Sequence, residues 1–233
     1  MNPVAGLAVA VLLFVGSHLA MSHAWRAAMI ARLGERGFQA IYSLVSLVFF
    51  GWIIWQARHV PEAPPLWVAP AWFWGVAAAI MLFASILLVG AFVRNPAFPH
   101  PRGDAGGAAV RPAAGVFAIT RHPMNMAVAI WAVVHILLWG GAANLPIAGG
   151  FLFLAVAGSF GQDRKKTRLL GDAWRGWRAR TSFWPFAALV DGRIPWRAAA
   201  PGWTAFGGGL VLWLAITYFH APSVSPLVAL GIG

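Results

Sequence analysis

Six long apolar stretches, separated by more polar connections, dominate the pattern of hydrophobic and polar positions along the chain. A helix that crosses the hydrocarbon core of a bilayer needs about 20 apolar residues, with a lower limit of roughly 17. Every stretch meets that limit, so the pattern predicts an all-α bundle of about six transmembrane helices. The predicted spans are Pro3 to Ser22, Gly37 to Ala57, Ala71 to Val93, Pro123 to Gly140, Asn144 to Phe160 and Gly202 to Phe219.

The connections between these stretches predict the topology, because cytoplasmic loops of membrane proteins are enriched in Lys and Arg. All basic residues except Arg58 fall in the first, third and fifth connections. An even number of spans with both termini outside the cytoplasm produces this alternation. We therefore expect a multi-pass protein of the bacterial inner membrane with periplasmic termini.

Two connections and the chain end have a character of their own. Residues 94–112 are rich in Pro and Gly, which predicts an irregular cytoplasmic segment. Residues 163–180 alternate basic and apolar side chains at helical spacing, including Trp174 and Trp177, so we expect an amphipathic helix at the inner membrane surface. The tight turn between spans four and five predicts a helical hairpin, and the tail after His220 is expected to be irregular because two prolines interrupt it.

Composition supports a membrane protein and narrows its chemistry. Hydrophobic residues make up 60% of the 233 residues, charged residues only 10%, and cysteine is absent. The absence of cysteine excludes disulfides and thiolate ligands. The net charge is +11, and most of the basic residues lie next to apolar runs. This placement predicts membrane lipids rather than nucleic acid as partners. All six acidic residues lie outside the predicted spans, which excludes a pair of carboxylates within the bilayer.

Two histidines lie well inside predicted spans, His18 in the first and His135 in the fourth. An ionisable group at such a position is costly and is a candidate for function. Two imidazoles without carboxylate or thiolate make a poor zinc site, but they suffice for iron when a porphyrin supplies four nitrogens. The pair therefore predicts either a bis-histidine haem b or histidines that only form hydrogen bonds between helices.

The depths of His18 and His135 in the membrane, and the residues near them, bear on whether they bind one iron. At about 1.5 Å per residue, His18 lies about 6 Å and His135 about 18 Å from the inner ends of their helices. A shared iron thus requires an axial direction that runs steeply across the membrane. His122, at the inner end of the fourth span, matches the depth of His18 better and is the alternative ligand. Trp131, one turn before His135, either flanks a flat ring or packs between helices.

The residues before Pro123 form a second candidate site. Pro123 occupies the predicted first position of a helix, and Arg121 and His122 precede it. This arrangement is either an ordinary helix start with a snorkelling arginine or a clamp for an anion or cofactor at a positive helix N-terminus.

Several ordered motifs resemble the NnrU family, whose plant and cyanobacterial branch includes the zeta-carotene isomerases. The resemblance covers roughly residues 1–193. Residues 194–233, which contain the sixth predicted span, are interpreted as a C-terminal addition. The matching motifs are YSLVSLVFFGWIIWQ, APPLWVAPAW, ITRHPMNMAVAIWAVVHILLW, QDRKK, LGDAWRGWRARTSFWPF and ALVDGR.

The resemblance implies haem b held by His18 and His135 as axial ligands. Among the cytoplasmic arginines, Arg121 is by position the first candidate to bind the haem propionates. The isomerase branch isomerises a cis double bond of a linear C40 polyene when its iron is ferrous. In that branch a cysteine three residues before the second ligand is thought to replace it on reduction, and Ala132 stands at that position here. The resemblance thus implies a haem site without a thiolate switch.

Alternative functions follow from the same motifs. Bacterial members of the family take their name from an association with nitrite and nitric oxide reduction, which makes a small gas as well as a hydrophobic polyene an expected ligand. A more distant likeness to membrane methyltransferases of the isoprenylcysteine and phospholipid type implies S-adenosylmethionine near Arg121 and His122. The acidic pair usual in those enzymes is reduced here to Asp163. A non-catalytic assembly factor is the third interpretation.

Overall fold

A computed structural model describes residues 2–93 and 112–231, and the regular elements in these ranges are helices. A π-helical turn, Ala20–Ala24, follows the first helix, and 3₁₀ turns lie at Trp196–Ala199 and Pro222–Val224. The α-helices are α1 (Pro3–Leu19), α2 (Arg26–His59), α3 (Ala71–Gly90), α4 (Val116–Ile119), α5 (Pro123–Leu138), α6 (Asn144–Leu170), α7 (Asp172–Arg180), α8 (Ala187–Val190), α9 (Trp203–His220) and α10 (Pro226–Ala229).

Each of the six predicted spans coincides with a helix. Four helical segments of the described ranges are long and apolar enough to cross a membrane: Pro3–Ala24, Arg26–His59, Ala71–Gly90 and Asn144–Leu170. The predicted fourth span is the shorter apolar helix Pro123–Leu138, and the sixth is α9 with 18 residues. These helices are consistent with a membrane protein, while the number of crossings stays a prediction.

The outward faces of the long helices are strongly apolar. Leu12 on α1 and Leu47 on α2 are each 68% exposed, and Trp72 on α3 is 70% exposed. Large contiguous apolar surfaces of this kind are rare on soluble monomers. Contact with lipid tails accounts for them.

Contacts divide the chain into two compact units, and the first comprises Met1–Pro70 with Ala132–Gln162. Helices α1 and α2 run antiparallel, with Gly6 against Gln56 and the rings of Phe14 and Phe50 6.1 Å apart. Helix α6 lies parallel to α1, because Val11 contacts Gly150 and His23 contacts Gly161. The core between these helices consists of Leu7, Ala10, Val11, Phe14, Val15 and Ile53.

The helix of the second predicted span begins earlier in the chain than the sequence predicts. Helix α2 begins at Arg26 rather than near Gly37, and Gly34 interrupts its helical backbone with φ 71° and ψ 170°. A glycine adopts positive φ without the steric cost that a side chain adds, so the chain kinks there and resumes the helix. The apolar pattern detects only the part of α2 beyond this kink.

The second unit comprises Ala71–Trp131 with Asp163–Gly233. Helices α3 and α9 run antiparallel, with Gly208 against Val89 and Gly209 against Ile86. The indole Nε1 of Trp213 on α9 donates to the carbonyl of Ala78 on α3 at 2.8 Å. The glycines on α9 thus permit the two helices to approach closely. In a membrane, helix association depends on the van der Waals and polar contacts that such an approach allows.

The predicted amphipathic helix over residues 163–180 is divided in two. Helix α6 continues to Leu170, Gly171 takes φ 54°, and α7 begins at Asp172. Trp174 and Trp177 of α7 are each only 1% exposed, so both indoles pack inside the protein. The break arises because Gly171 adopts the left-handed region that other residues avoid. Most of the predicted irregular segment, residues 94–111, lies outside the described residues.

The α3–α9 contact predicts a large difference between two neighbouring glycines. A Cβ at Gly209 would lie 2.6 Å from the Ile86 Cα, whereas a Cβ at Gly207 would meet nothing within 4 Å. We expect Gly209→Ala to destabilise the protein by about 1–3 kcal/mol through overpacking. Gly207→Ala, the matched control, should be neutral or slightly stabilising because alanine favours the helix. Thermal unfolding in detergent measures both, and equal melting temperatures would contradict the packing.

Candidate functional site

His18 lies half-buried near the end of α1 with both ring nitrogens near a polar partner. Its Nδ1 lies 2.9 Å from the carbonyl oxygen of Phe14, and since a carbonyl only accepts, Nδ1 carries the proton. Nε2 lies 3.2 Å from the hydroxyl oxygen of Ser46 on α2, whose single proton is donated to the carbonyl of Tyr42 at 2.7 Å. In the neutral ring, Nε2 therefore presents a lone pair.

The ring of His18 is enclosed by aromatic side chains of the first unit. Phe14 lies 4.1 Å and Tyr42 5.2 Å from it between ring centroids. Phe14 also stacks on Phe151 of α6 at 5.3 Å. Histidines that bind metals commonly donate their second ring N–H to a carbonyl, which fixes the ligand orientation. His18 has that arrangement, so its residue type, tautomer and surroundings fit an axial ligand of haem.

His135 belongs to the same compact unit but lies at another level along the helices. Its backbone carbonyl accepts a hydrogen bond from Asn144 Nδ2 at 2.8 Å, which places His135 beside the first turn of α6. The contacts of Val11 with Gly150 and of His23 with Gly161 place His18 about ten residues further along α6, or about 15 Å at the rise of an α-helix. The two histidines therefore lie at different levels along the helices, and their binding to one iron stays a prediction.

The structure brings Arg121 and His122 together with Asp163, a group that the sequence did not predict. Arg121 Nε and Nη2 each lie 2.8 Å from Oδ2 of Asp163. His122 Nε2 lies 3.0 Å from Oδ1. The side chains of Asp163 and His122 are 5% exposed and that of Arg121 is 10% exposed, whereas the side chain of Arg178, 3.8 Å from Oδ2, is 46% exposed. Asp163 thus neutralises Arg121 in a buried position.

Backbone pairing between two distant segments positions this cluster. The amide of Arg121 donates to the carbonyl of Ser182 at 2.8 Å, and Thr120 Oγ1 donates to the carbonyl of Phe183 at 2.7 Å. The amide of Phe186 in turn donates to the carbonyl of Ile119 at 2.9 Å. Helix α5 begins at Pro123, as predicted, directly after the residues that this pairing fixes. The cluster therefore holds the start of α5 at the end of α6.

This geometry bears on the sequence-predicted roles of Arg121 and His122. Both side chains direct polar atoms at Asp163, whose two oxygens they share. The arrangement supports a structural ion pair more directly than a clamp for a propionate or for S-adenosylmethionine. Trp131 is half-buried on α5, and its contact with a cofactor stays a prediction.

No group of three or more His, Asp or Glu side chains within residues 2–93 and 112–231 is arranged to hold a metal ion.

The buried cluster predicts a strong dependence of stability on one carboxylate. Asp163→Asn leaves Arg121 buried without its counter-charge, and we expect a loss of about 3–5 kcal/mol. Asp172→Asn is the control, because the exposed pair of Asp172 with Arg175 contributes at most about 1 kcal/mol. Thermal unfolding of both variants in detergent tests this. The double variant, Arg121→Gln with Asp163→Asn, should lose less unfolding free energy than the two single variants lose together.

Comparisons with known proteins identify relatives over most of the chain. Over 172 residues it is 26% identical to the 15-cis-zeta-carotene isomerase of Zea mays, and over 177 residues it is 27% identical to that of Arabidopsis thaliana; both are chloroplastic proteins. Each match covers 69% of this chain and 44% of the relative, so the chain spans less than half the length of these curated relatives. No solved structure matches. The NnrU protein family matches residues 6–226, which includes most of the segment 194–233, and the chain belongs to the NnrU family.

Proposed function

We propose that this protein is a haem b-dependent cis–trans isomerase of a linear polyene in the membrane. The observation that carries the proposal is the similarity to two 15-cis-zeta-carotene isomerases along 69% of the chain. The all-helical, apolar architecture supports a hydrophobic substrate. A role in nitrite or nitric oxide reduction stays a prediction from the family name.

His18 and His135 are the proposed axial ligands. His18 supports this role through its Nδ1–H···O=C bond to Phe14, which leaves Nε2 as the coordinating atom. Binding at Nε2 requires that the contact with Ser46 be given up, which costs little because the Ser46 hydroxyl keeps its shorter bond to Tyr42. When bound, haem would supply a redox-active iron beside the substrate double bond.

The residues near His18 suit a hydrocarbon substrate. Phe14 contacts the imidazole, and Phe50 and Phe151 contact Phe14, so the surface next to His18 is aromatic. A polyene without polar groups needs no hydrogen-bond partner there. Ala132 is fully buried three residues before His135, so the proposed reaction proceeds without a thiolate ligand.

We also propose six crossings of a bacterial inner membrane with both termini on the periplasmic side. The helix directions support this topology within each unit: α1 is antiparallel to α2 and parallel to α6, and α3 is antiparallel to α9. Odd and even spans of a six-span chain have these relative directions. The pairing of α9 along α3 supports α9 as the sixth span, although it is short.

The methyltransferase alternative rests on Arg121 and His122 as a cofactor clamp. Their shared bonding to the buried Asp163 gives both side chains a partner inside the protein. A calorimetric titration with S-adenosylmethionine decides this point. Saturable binding that is lost in His122→Ala would support the alternative over the isomerase.

Absorption spectroscopy tests the proposed haem site. Protein expressed with a haem precursor and purified in detergent should show a Soret band, which His18→Ala and His135→Ala each abolish or shift. His59→Ala is the control, because His59 makes the same Nδ1-to-carbonyl bond, to Trp55, but is exposed at the end of α2. Ser46→Ala should retain the band.

Two results would contradict the ligand assignment. A colourless preparation after haem supply would exclude the cofactor. A spectrum that changes in His18→Ala but not in His135→Ala would exclude the pair and leave His18 with another partner.

Isomer analysis tests the proposed reaction. Haem-loaded protein, reduced with dithionite, should convert 15-cis-zeta-carotene to its 15-trans isomer, as measured by chromatography of the extracted polyenes. His18→Ala should lose this conversion and His59→Ala should retain it. Haem-loaded, reduced protein that leaves the isomer ratio at the level of a protein-free control would contradict the proposed substrate.

A further inference from the structure

A crevice of about 730 Å³ lies in the first unit, where α2 ends and α6 begins. Two segments of the chain form its wall, residues 60–65 after α2 and residues 139–144 before and at the start of α6. Because Gly6 at the start of α1 contacts Gln56 near the end of α2, the crevice lies at the opposite end of this helix pair from His18. It is therefore separate from the proposed haem site.

Hydrogen bonds hold both segments of the wall in place. The amide of Leu66, directly after the first segment, donates to the carbonyl of Gly140 at 3.0 Å. Nδ2 of Asn144 donates to the carbonyl of Trp139 at 2.6 Å. Half of residues 60–65 are prolines, whose rings restrict the backbone. The crevice is thus formed by the chain itself, as ligand sites usually are before they bind.

The wall presents two hydrogen-bond acceptors and an aromatic ring. The carboxylate of Glu62 has neither an ion pair nor a hydrogen bond within residues 2–93 and 112–231. Nδ2 of Asn144 donates to two carbonyls, which leaves Oδ1 of that amide as an acceptor. Trp139, 42% exposed, adds an indole ring. A carboxylate, an amide oxygen and an indole together favour a cation that donates hydrogen bonds.

The number and kind of these groups narrow the cation. A hard metal ion such as Ca²⁺ takes roughly six to eight oxygen ligands, which one carboxylate and one amide do not supply. A quaternary ammonium has no N–H and would leave the oxygens of Glu62 and Asn144 without donors. A primary ammonium has three N–H donors, and its charge is attracted both to a carboxylate and to an indole face.

The surroundings of the crevice favour an ammonium that belongs to a lipid. Glu62 follows the end of α2 at His59, which is the level of the headgroups for a helix that crosses the bilayer. The last turns of α2 and α5 expose large apolar side chains, since Trp55 is 56% and Leu137 52% exposed. Acyl chains fit such surfaces. We infer that this crevice binds the ammonium headgroup of an ethanolamine phospholipid.

Lipids that differ only in the methylation of the headgroup nitrogen test the inference. Dioleoyl phosphatidylethanolamine, its N,N-dimethyl derivative and dioleoyl phosphatidylcholine share their acyl chains and their charges, but the number of N–H groups falls along the series. Native mass spectrometry of the haem-free full chain, released from detergent, gives the affinity for each lipid. We expect the affinity to fall along the series, by roughly ten-fold from first to last, the effect of a charge-assisted hydrogen bond.

Glu62→Gln removes the charge of the wall and nearly keeps its shape. This variant should reduce the preference for phosphatidylethanolamine over phosphatidylcholine to about two-fold or less. Glu35→Gln is the matched control, because the side chain of Glu35 is 52% exposed but pairs with Arg26 and does not line the crevice. The control should keep the preference of the wild type.

Equal affinities of the wild type for phosphatidylethanolamine and phosphatidylcholine would overturn the inference, as would an unchanged preference in Glu62→Gln. Phosphoethanolamine without acyl chains distinguishes a lipid from a soluble amine. If it displaces the lipid at a similar concentration, the occupant is a soluble amine and the inference is wrong. All these measurements use haem-free protein, so they fail separately from the Soret band and from polyene conversion.

Discussion

The poor solvation of polar groups by hydrocarbon is the constraint on which this structure depends. A buried N–H or hydroxyl in an apolar helix costs several kcal/mol when it has no partner within the protein. Trp213 solves this by donating to the carbonyl of Ala78 on α3, and His18 does so by donating from Nδ1 to the carbonyl of Phe14 on its own helix. The same bonds also fix geometry. The bond that satisfies Nδ1 of His18 decides that Nε2 is the nitrogen left to coordinate.

Charge obeys the same constraint in a harsher form. Arg121 and Asp163 are nearly inaccessible, and burial of either ion alone would be strongly destabilising. Their pairing, with His122 on the second carboxylate oxygen, allows the start of α5 and the end of α6 to be buried together. The exposed pair of Arg175 with Asp172 on α7 carries no such desolvation cost and contributes at most about 1 kcal/mol.

The apolar pattern predicts the helices well, because a bilayer imposes one length scale on every span. It predicts α3 from Ala71, α5 from Pro123 and α6 from Asn144. It misses the kink at Gly34 and the break at Gly171, where φ is positive. The sequence does not indicate the sign of φ at a glycine within a helical pattern, because tertiary packing selects it. The first helical position of Pro123 is predictable, since proline lacks the N–H that would be left unpaired there.

The candidate site residues also differ in whether a local sequence pattern predicts them. Burial of imidazole in an apolar run is a local property, so His18 and His135 stand out from the sequence, whereas their difference in level becomes clear from contacts of α1 and α5 with α6. The bonds of Asp163 join residues more than 40 positions apart, and no local pattern encodes them.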